Sequence, residues 1–302
     1  MIPLEVEVRP PSPFRIPAYG GEDRVMRVDG GVATRLLHVD GSPVLARAWQ
    51  RRDGLVALRA EPVEPGAIAP PRSVPMGEPR PAGPAELRVA VERMRFALGV
   101  DDDLSDFFRR FRRDPLLGPL LRRRPHRRPL RRPWPWEALA WAVVKQLIES
   151  GRAARIQRRI VGRWGPRMGR ERGALRDVPA PGLIAGRAPA ELESMDLSAG
   201  RAIALRAVAR DIAAGRCDPA DPAADQRLLA VPEIGPWTVQ CLGLFGRGDP
   251  DSLPAGDLIY LKLVGRLARL GRRATVAEVE EFFAPYAPYR GLAGSWAVGV
   301  YR

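Results

Sequence analysis

Eight prolines, at positions 62, 65, 70, 71, 75, 79, 81 and 84, divide this 302-residue chain into two kinds of text. Proline fixes φ and removes a backbone donor, so neither a long helix nor a central strand crosses this stretch. It reads as an extended connector, with different periodicities on its two sides. Before it, Leu4, Val6 and Val8 alternate with Glu5 and Glu7, the period of a half-buried strand. Further strands are predicted at Arg24–Val28, Val32–Val39, Val44–Trp49 and Leu55–Ala60, separated by turns at Asp29-Gly30-Gly31, Asp40-Gly41 and Asp53-Gly54. After it, Leu87, Val91, Met94 and Leu98 recur at helical spacing and Gly99 sits where a helix stops. Further helices are predicted over Trp136–Ser150, Ala153–Trp164, Ala199–Ala214, Asp225–Ala230, Trp237–Leu244, Leu258–Leu270 and Val276–Phe283. The expected fold class is α+β: a small antiparallel sheet and its connector over 1–85, then an all-helical body over 86–302.

Composition narrows the function. Two cysteines, Cys217 and Cys241, are too few for a disulfide framework or a four-cysteine iron–sulfur cluster. With His38 and His126 as the only histidines, no zinc site is expected. No apolar run approaches the ~20 residues that span a bilayer, and Met1–Val8 lacks the order of a signal peptide, so a cytoplasmic protein is expected. The net charge of +14 suits a polyanionic partner. Nearly all of that charge is arginine, Lys145 and Lys262 being the only lysines, so charge alone does not decide the matter.

The informative segment is Leu228-Leu229-Ala230-Val231-Pro232-Glu233-Ile234-Gly235-Pro236-Trp237-Thr238. One helix ends, a tight Pro-x-Ile-Gly turn follows, and Pro236 starts the next helix at once. In such a helix-hairpin-helix, Gly235 admits close backbone approach. Amides around Pro232, Glu233, Ile234, Gly235 and Thr238 meet a DNA phosphate at the positive end of the second helix. Twenty residues after Trp237, Leu253-Pro254-Ala255-Gly256-Asp257 opens another helix.

A Pro-x-Ile-Gly hairpin followed by a Gly/Pro-rich loop and an aspartate at this spacing resembles the helix-hairpin-helix DNA glycosylases. Within them it looks most like the 3-methyladenine DNA glycosylase II (AlkA-type) enzymes. The segments Ala142-Val143-Val144-Lys145-Gln146-Leu147-Ile148 and Pro288-Tyr289-Arg290-Gly291-Leu292-Ala293 add to the likeness, which covers roughly residues 86–298. The resemblance implies two helical subdomains flanking a cleft, with Asp257 as the catalytic carboxylate. Trp237 stands where lyase-type relatives carry a nucleophilic lysine, which implies a monofunctional enzyme excising alkylated purines from duplex DNA. It makes Trp237, Cys241, Leu258 and Trp296 candidate pocket residues, with Gln146 and Leu147 as the wedge that fills the space of a flipped nucleotide. Counting from Arg290 puts the family's stacking position on Val298, so Trp296 is either its substitute or core.

Glu233 replaces the usual first glycine of the hairpin, where an acid either weakens phosphate contact or turns away into solvent. The resemblance implies a monomer without a metal or other cofactor, beyond a monovalent cation that hairpin carbonyls can hold in DNA complexes. Two other readings stay open at this point: a catalytically silent hairpin module, and a glycosylase for oxidised or deaminated bases. The run Arg122–Arg132 reads either as a solvated basic loop or as a phosphate contact, and its prolines argue against a helix. Trp134, Trp136 and Trp141 read as packing residues.

Overall fold

The computed structural model describes residues 2–69, 80–169 and 173–299. Strands β1 (Leu4–Val8), β2 (Arg27–Asp29), β3 (Val32–Val39), β4 (Ser42–Gln50) and β5 (Val56–Pro62) form an antiparallel sheet in the order β1-β5-β4-β3-β2. The β3–β4 hairpin runs in register from Val32 opposite Trp49 to Val39 opposite Ser42. Its two turn residues, Asp40 (φ 48°) and Gly41 (φ 82°), both have the positive φ that a two-residue turn needs to match the strand twist. β2 is shorter than predicted because Arg24 takes φ 64° and residues before it are drawn toward the helical body.

The connector is only partly extended. Ile68–Ala69 (β6) pairs with Arg167–Met168 (β7), which pairs with Leu175–Arg176 (β8), making a small second sheet. Residues 70–79 of the connector lie outside the described residues. The helices follow in chain order: α1 (Pro84–Leu98), α2 (Ser105–Phe111), α3 (Leu117–Arg123), α4 (Pro135–Lys145), α5 (Ser150–Trp164), α6 (Pro181–Ala185) and α7 (Pro189–Glu193). Then come α8 (Ala199–Ala213), α9 (Asp225–Leu229), α10 (Pro236–Leu242), α11 (Leu258–Leu267), α12 (Val276–Phe283) and α13 (Arg290–Val298). α3 takes in Arg122 and Arg123, so the basic run begins on a helix despite its prolines.

Three cores result. The inner face of the large sheet (Ala33, Leu37, Val39, Val44, Ala46, Ala48, Leu58 and Ala60) packs on Leu87, Ala90, Val91 and Met94 of α1. Alanines on the central strands let the helix lie close. A second core joins α4 and α5 to α6–α10, and a third joins α2 and α3 to α11–α13. The cleft between these two helical cores is where the hairpin and Asp257 meet.

One charge cluster holds the sheet to the helical body. Arg35 shares the inner sheet face with Ala33 and Leu37 and is fully buried. Its Nη2 donates to Glu137 on α4 at 2.5 Å and lies 3.5 Å from Asp177, whose other oxygen accepts from the His38 amide at 2.8 Å. Buried ions are tolerated only in such pairings, and removing one partner strands the other in a medium that solvates it poorly. Glu137→Ala is therefore expected to lower the unfolding free energy by about 3–5 kcal/mol. Urea denaturation reads this directly, and an unchanged midpoint would show that Arg35 finds compensation elsewhere.

Candidate active site

The hairpin forms where the sequence places it. α9 ends, Val231 N–H donates to Leu228 O, and Ile234 N–H donates to Val231 O at 3.0 Å, closing a tight turn. Gly235 caps α10 in an extended conformation, with Pro236 in the first helical position. A Cβ on Gly235 would meet no protein atom within 4 Å, so the surface beside it is open to a partner. Pro232 and Glu233 are exposed, whereas Ile234 is buried and roots the turn in the second core. Thr238 does not belong to the DNA-facing surface expected of it: at 1% exposure it lies beneath the hairpin.

Glu233 holds φ 70°, the conformation for which a glycine is suited. A Cβ on Gly200 would stand 3.0 Å from a Glu233 carboxylate oxygen, so this side chain lies over the first turn of α8. The positive helix end there accommodates the anion. The acid thus lies over a helix end while staying exposed.

α4 stops at Lys145, five residues earlier than its periodicity predicts, and the cause is polar. Gln146 Nε2 donates to Glu233 O at 2.7 Å and to Thr238 Oγ1 at 2.9 Å. From the other side, the buried Arg201 of α8 donates to Val144 O (3.0 Å) and Gln146 O (3.4 Å). These bonds fix Gln146 in an extended conformation and turn Leu147 into the left-handed region at φ 55°. Leu147 is 103% exposed, a leucine with no packing partner in a strained conformation. Gln146 is buried, so of the expected wedge pair only Leu147 projects, and Gln146 is the tether that aims it.

Beside the hairpin opens a cavity of about 500 Å³, lined among others by Asp257, Trp237, Cys241, Tyr260, Lys145 and Val298. Asp257 is both a helix cap and a wall of this cavity. Its Oδ1 accepts from Ile259 N–H at 2.9 Å, and its own N–H donates to Pro254 O at 2.9 Å, so the carboxylate is positioned from both sides. Trp237 lies against Gly256, and its buried Nε1 has no hydrogen-bond partner among the described residues. Cys241 is buried, and burial together with the nearby Asp257 carboxylate pushes its thiol well above the ordinary range, against the opposing effect of Lys145. It stays protonated and forms a neutral floor.

Two expected pocket residues are elsewhere. Leu258 is 45% exposed and outside the cavity, because the first position after the cap faces the surface, while Ile259 and Tyr260 turn inward. Trp296 is 1% exposed and packed in the third core, its ring centre 5.9 Å from that of Phe108 and 6.1 Å from that of Phe107. The counted position, Val298, lines the cavity instead.

Sequence reasoning missed one wall entirely. Tyr19, Gly21 and Glu22, from the segment between β1 and β2, border the cavity. Buried Asp23 holds this segment by accepting from Arg132 Nη1 (2.6 Å), Trp141 Nε1 (2.9 Å) and Val25 N–H (3.1 Å). A lone aspartate two residues past a Gly-Gly pair carries no signal of this in the sequence. Trp141 also borders the cavity, and Trp136, by contrast, is pure core with Nε1 on Pro179 O. The basic run is largely consumed internally: Arg128 and Arg131 pair with Asp102, and Arg132 with Asp23 and Glu137. Arg122–Arg124 remain exposed.

No protein-family model matches the chain. A DNA-3-methyladenine glycosylase of Bacillus subtilis is 23% identical over 200 residues, 64% of this chain and 66% of that protein, just under two thirds of its length. Among solved structures, the 3-methyladenine DNA glycosylase of Archaeoglobus fulgidus superposes with a TM-score of 0.74 at 18% identity, covering 99% of this chain and 98% of its own. The Clostridium acetobutylicum 8-oxoguanine glycosylase/lyase in complex with double-stranded DNA superposes with a TM-score of 0.61 at 13% identity, covering 90% and 96%. The chain thus has the fold of these DNA glycosylases, and its likeness in sequence runs to a DNA-3-methyladenine glycosylase.

Proposed function

We propose that this protein is a monofunctional DNA glycosylase that flips alkylated purines, of the 3-methyladenine and 7-methylguanine type, out of duplex DNA and hydrolyses their bond to the sugar. One observation carries the reading. The Asp257 carboxylate and the Trp237 ring share a base-sized cavity with Lys145, two residues before the unpacked Leu147, and Trp237 follows directly on the hairpin turn.

Cleaving an N-glycosidic bond builds positive charge on the sugar, and a fixed carboxylate stabilises that state and orients a water. Asp257 supplies it. An alkylated purine is often cationic, so the electron-rich face of Trp237 favours it over a normal base by about 0.5–2 kcal/mol. Leu147 offsets part of the unstacking cost by filling the space the nucleotide leaves. The strain of its left-handed backbone, of order 1–3 kcal/mol, is sustained because Gln146 and Arg201 hold the segment from both sides. The hairpin amides around Gly235 hold a phosphate and position the duplex without reading sequence. A monovalent cation between that phosphate and the hairpin fits the carbonyls of Val231 and Glu233, each of which keeps a second lone pair beyond its internal bond. The enzyme works as a cytoplasmic monomer, nucleoid-associated in a bacterium; among the described residues no helix is long and apolar enough to cross a membrane.

Asp257→Asn is expected to slow release of 3-methyladenine and 7-methylguanine by at least 10²-fold while leaving DNA affinity within a few-fold. Equal release by both proteins would remove Asp257 from the mechanism, and no release by either would leave a silent DNA clamp. Because Trp237 cannot form a Schiff base, borohydride should trap no covalent adduct with DNA. Leu147→Ala should slow excision from fully paired sites more than from mismatches, since only the former need the plug to hold the duplex open. Equal slowing at both would deny Leu147 the wedge role.

A further inference from the structure

Lys145 is the last residue of α4 and lines the same cavity as Asp257 and Trp237. The other cavity-lining cations are committed to the protein: Arg132 to Asp23 and Glu137, Arg128 to Asp102, and Arg127 to Ser295 O. The Lys145 ammonium makes no hydrogen bond or ion pair with any described residue. Its side chain shares that cavity with the Asp257 carboxylate and the buried Cys241 thiol. A purine whose sugar meets Asp257 therefore occupies a cavity that the Lys145 ammonium also lines.

Resting on the glycosylase reading, we infer that Lys145 is the proton donor to the departing base where that base is uncharged, for which hypoxanthine is the probe. A cationic base leaves as a neutral molecule and needs no acid. An uncharged one would leave as an anion unless protonated. In the step inferred here the C1′–N9 bond breaks and its electron pair passes to the base. Lys145 Nζ gives a proton to the base and becomes an amine. Water adds its hydroxyl to C1′, and its remaining proton leaves through the Asp257 carboxylate to solvent, from which the amine is recharged.

The surroundings of Lys145 suit that exchange. Burial lowers its pKa, and Arg132 on the preceding loop lowers it further, against Glu22 and Asp23 of the N-terminal segment and Cys241 of α10. A lysine whose ammonium is disfavoured by burial gives up its proton more readily than a solvated one.

The test is single-turnover base release from duplexes carrying hypoxanthine or 7-methylguanine, between pH 6 and 9, by the wild type, Lys145→Met and Lys145→Arg. Wild-type release of hypoxanthine should fall as pH rises and the ammonium is lost, while release of 7-methylguanine does not follow that fall. Lys145→Met should slow hypoxanthine release about 100-fold and abolish its alkaline fall, leaving 7-methylguanine within about threefold. Lys145→Arg keeps the charge but holds its proton, and should stay slow on hypoxanthine. The inference is overturned by equal slowing on both substrates, by wild-type rates from arginine, or by a wild type that releases 7-methylguanine but not hypoxanthine. Failure to release 7-methylguanine strikes the alkylpurine reading instead, and the hypoxanthine arm then still decides Lys145.

Discussion

The carboxamide of Gln146 is the joint on which the site depends. It is buried at the end of α4 and donates to both the carbonyl of Glu233 and the hydroxyl of Thr238, so the end of one helix and the turn of the hairpin move as one body. A buried amide that lost these partners would cost on the order of 1–3 kcal/mol for the unsatisfied donor. More consequentially, it would free the segment that carries Leu147. Arg201 supplies the opposing restraint by taking two carbonyls of the same helix end. A leucine in the left-handed region relaxes unless its neighbours over-determine it, and here both sides do. The exposed Leu147 and the hairpin turn are therefore one unit, joined by a glutamine, a threonine and an arginine that are all buried.

Charge in this protein is mostly structural. A net charge of +14 suggests a surface prepared for a polyanion, yet much of the arginine near the cavity is spent on carboxylates of the same chain. Arg132 joins Asp23 to Glu137, Glu137 joins Arg35, and Arg35 reaches Asp177, a continuous network from the N-terminal loop through the sheet to the loop after α5. The pairs are buried, so salt screens them weakly, whereas contacts of Arg122–Arg124 with solvent are fully screened. Bulk charge is a poor measure of DNA-binding surface in an arginine-rich chain, because the same residue type serves both purposes.

How much of this was legible in the sequence follows from how local each signal is. Strands β3 to β5, the two-residue turns and the hairpin rest on neighbours within a few residues, and these appear where alternation, Gly-bearing turns and Pro-x-Ile-Gly place them. Asp257 was legible for the same reason, since a cap and the spacing to Trp237 are both linear. The errors lie where a distant residue intervenes. α4 reads as helical to Ser150, but Arg201 and the hairpin carbonyl stop it at Lys145. Leu258 was placed by counting along a motif, and helix rotation puts Tyr260 on the cavity instead; Val298, the position counted from Arg290, does line the cavity, and Trp296 proves to be core. Thr238 and Gln146 carry polar side chains that suggest a surface role, and burial gives them an internal one.

The N-terminal unit is a wall of the site and not an appendage to it. Its sheet shares a core with α1, which comes after the proline-rich connector, so the chain is not cleanly divided where its periodicity changes. Arg35 then ties that sheet to α4, the helix whose far end presents Lys145 and leads into the exposed Leu147. Asp23 draws residues 19–22 across the cleft, where Tyr19, Gly21 and Glu22 close the side facing Lys145. A cavity missing this wall would leave Lys145 in open water, with an ordinary ammonium pKa, and would expose Trp237 and Cys241 to the competing solvation that weakens every charge effect inside it. The polar surroundings of Lys145 therefore depend on a segment of the N-terminal unit anchored through Asp23, and not on the helices alone.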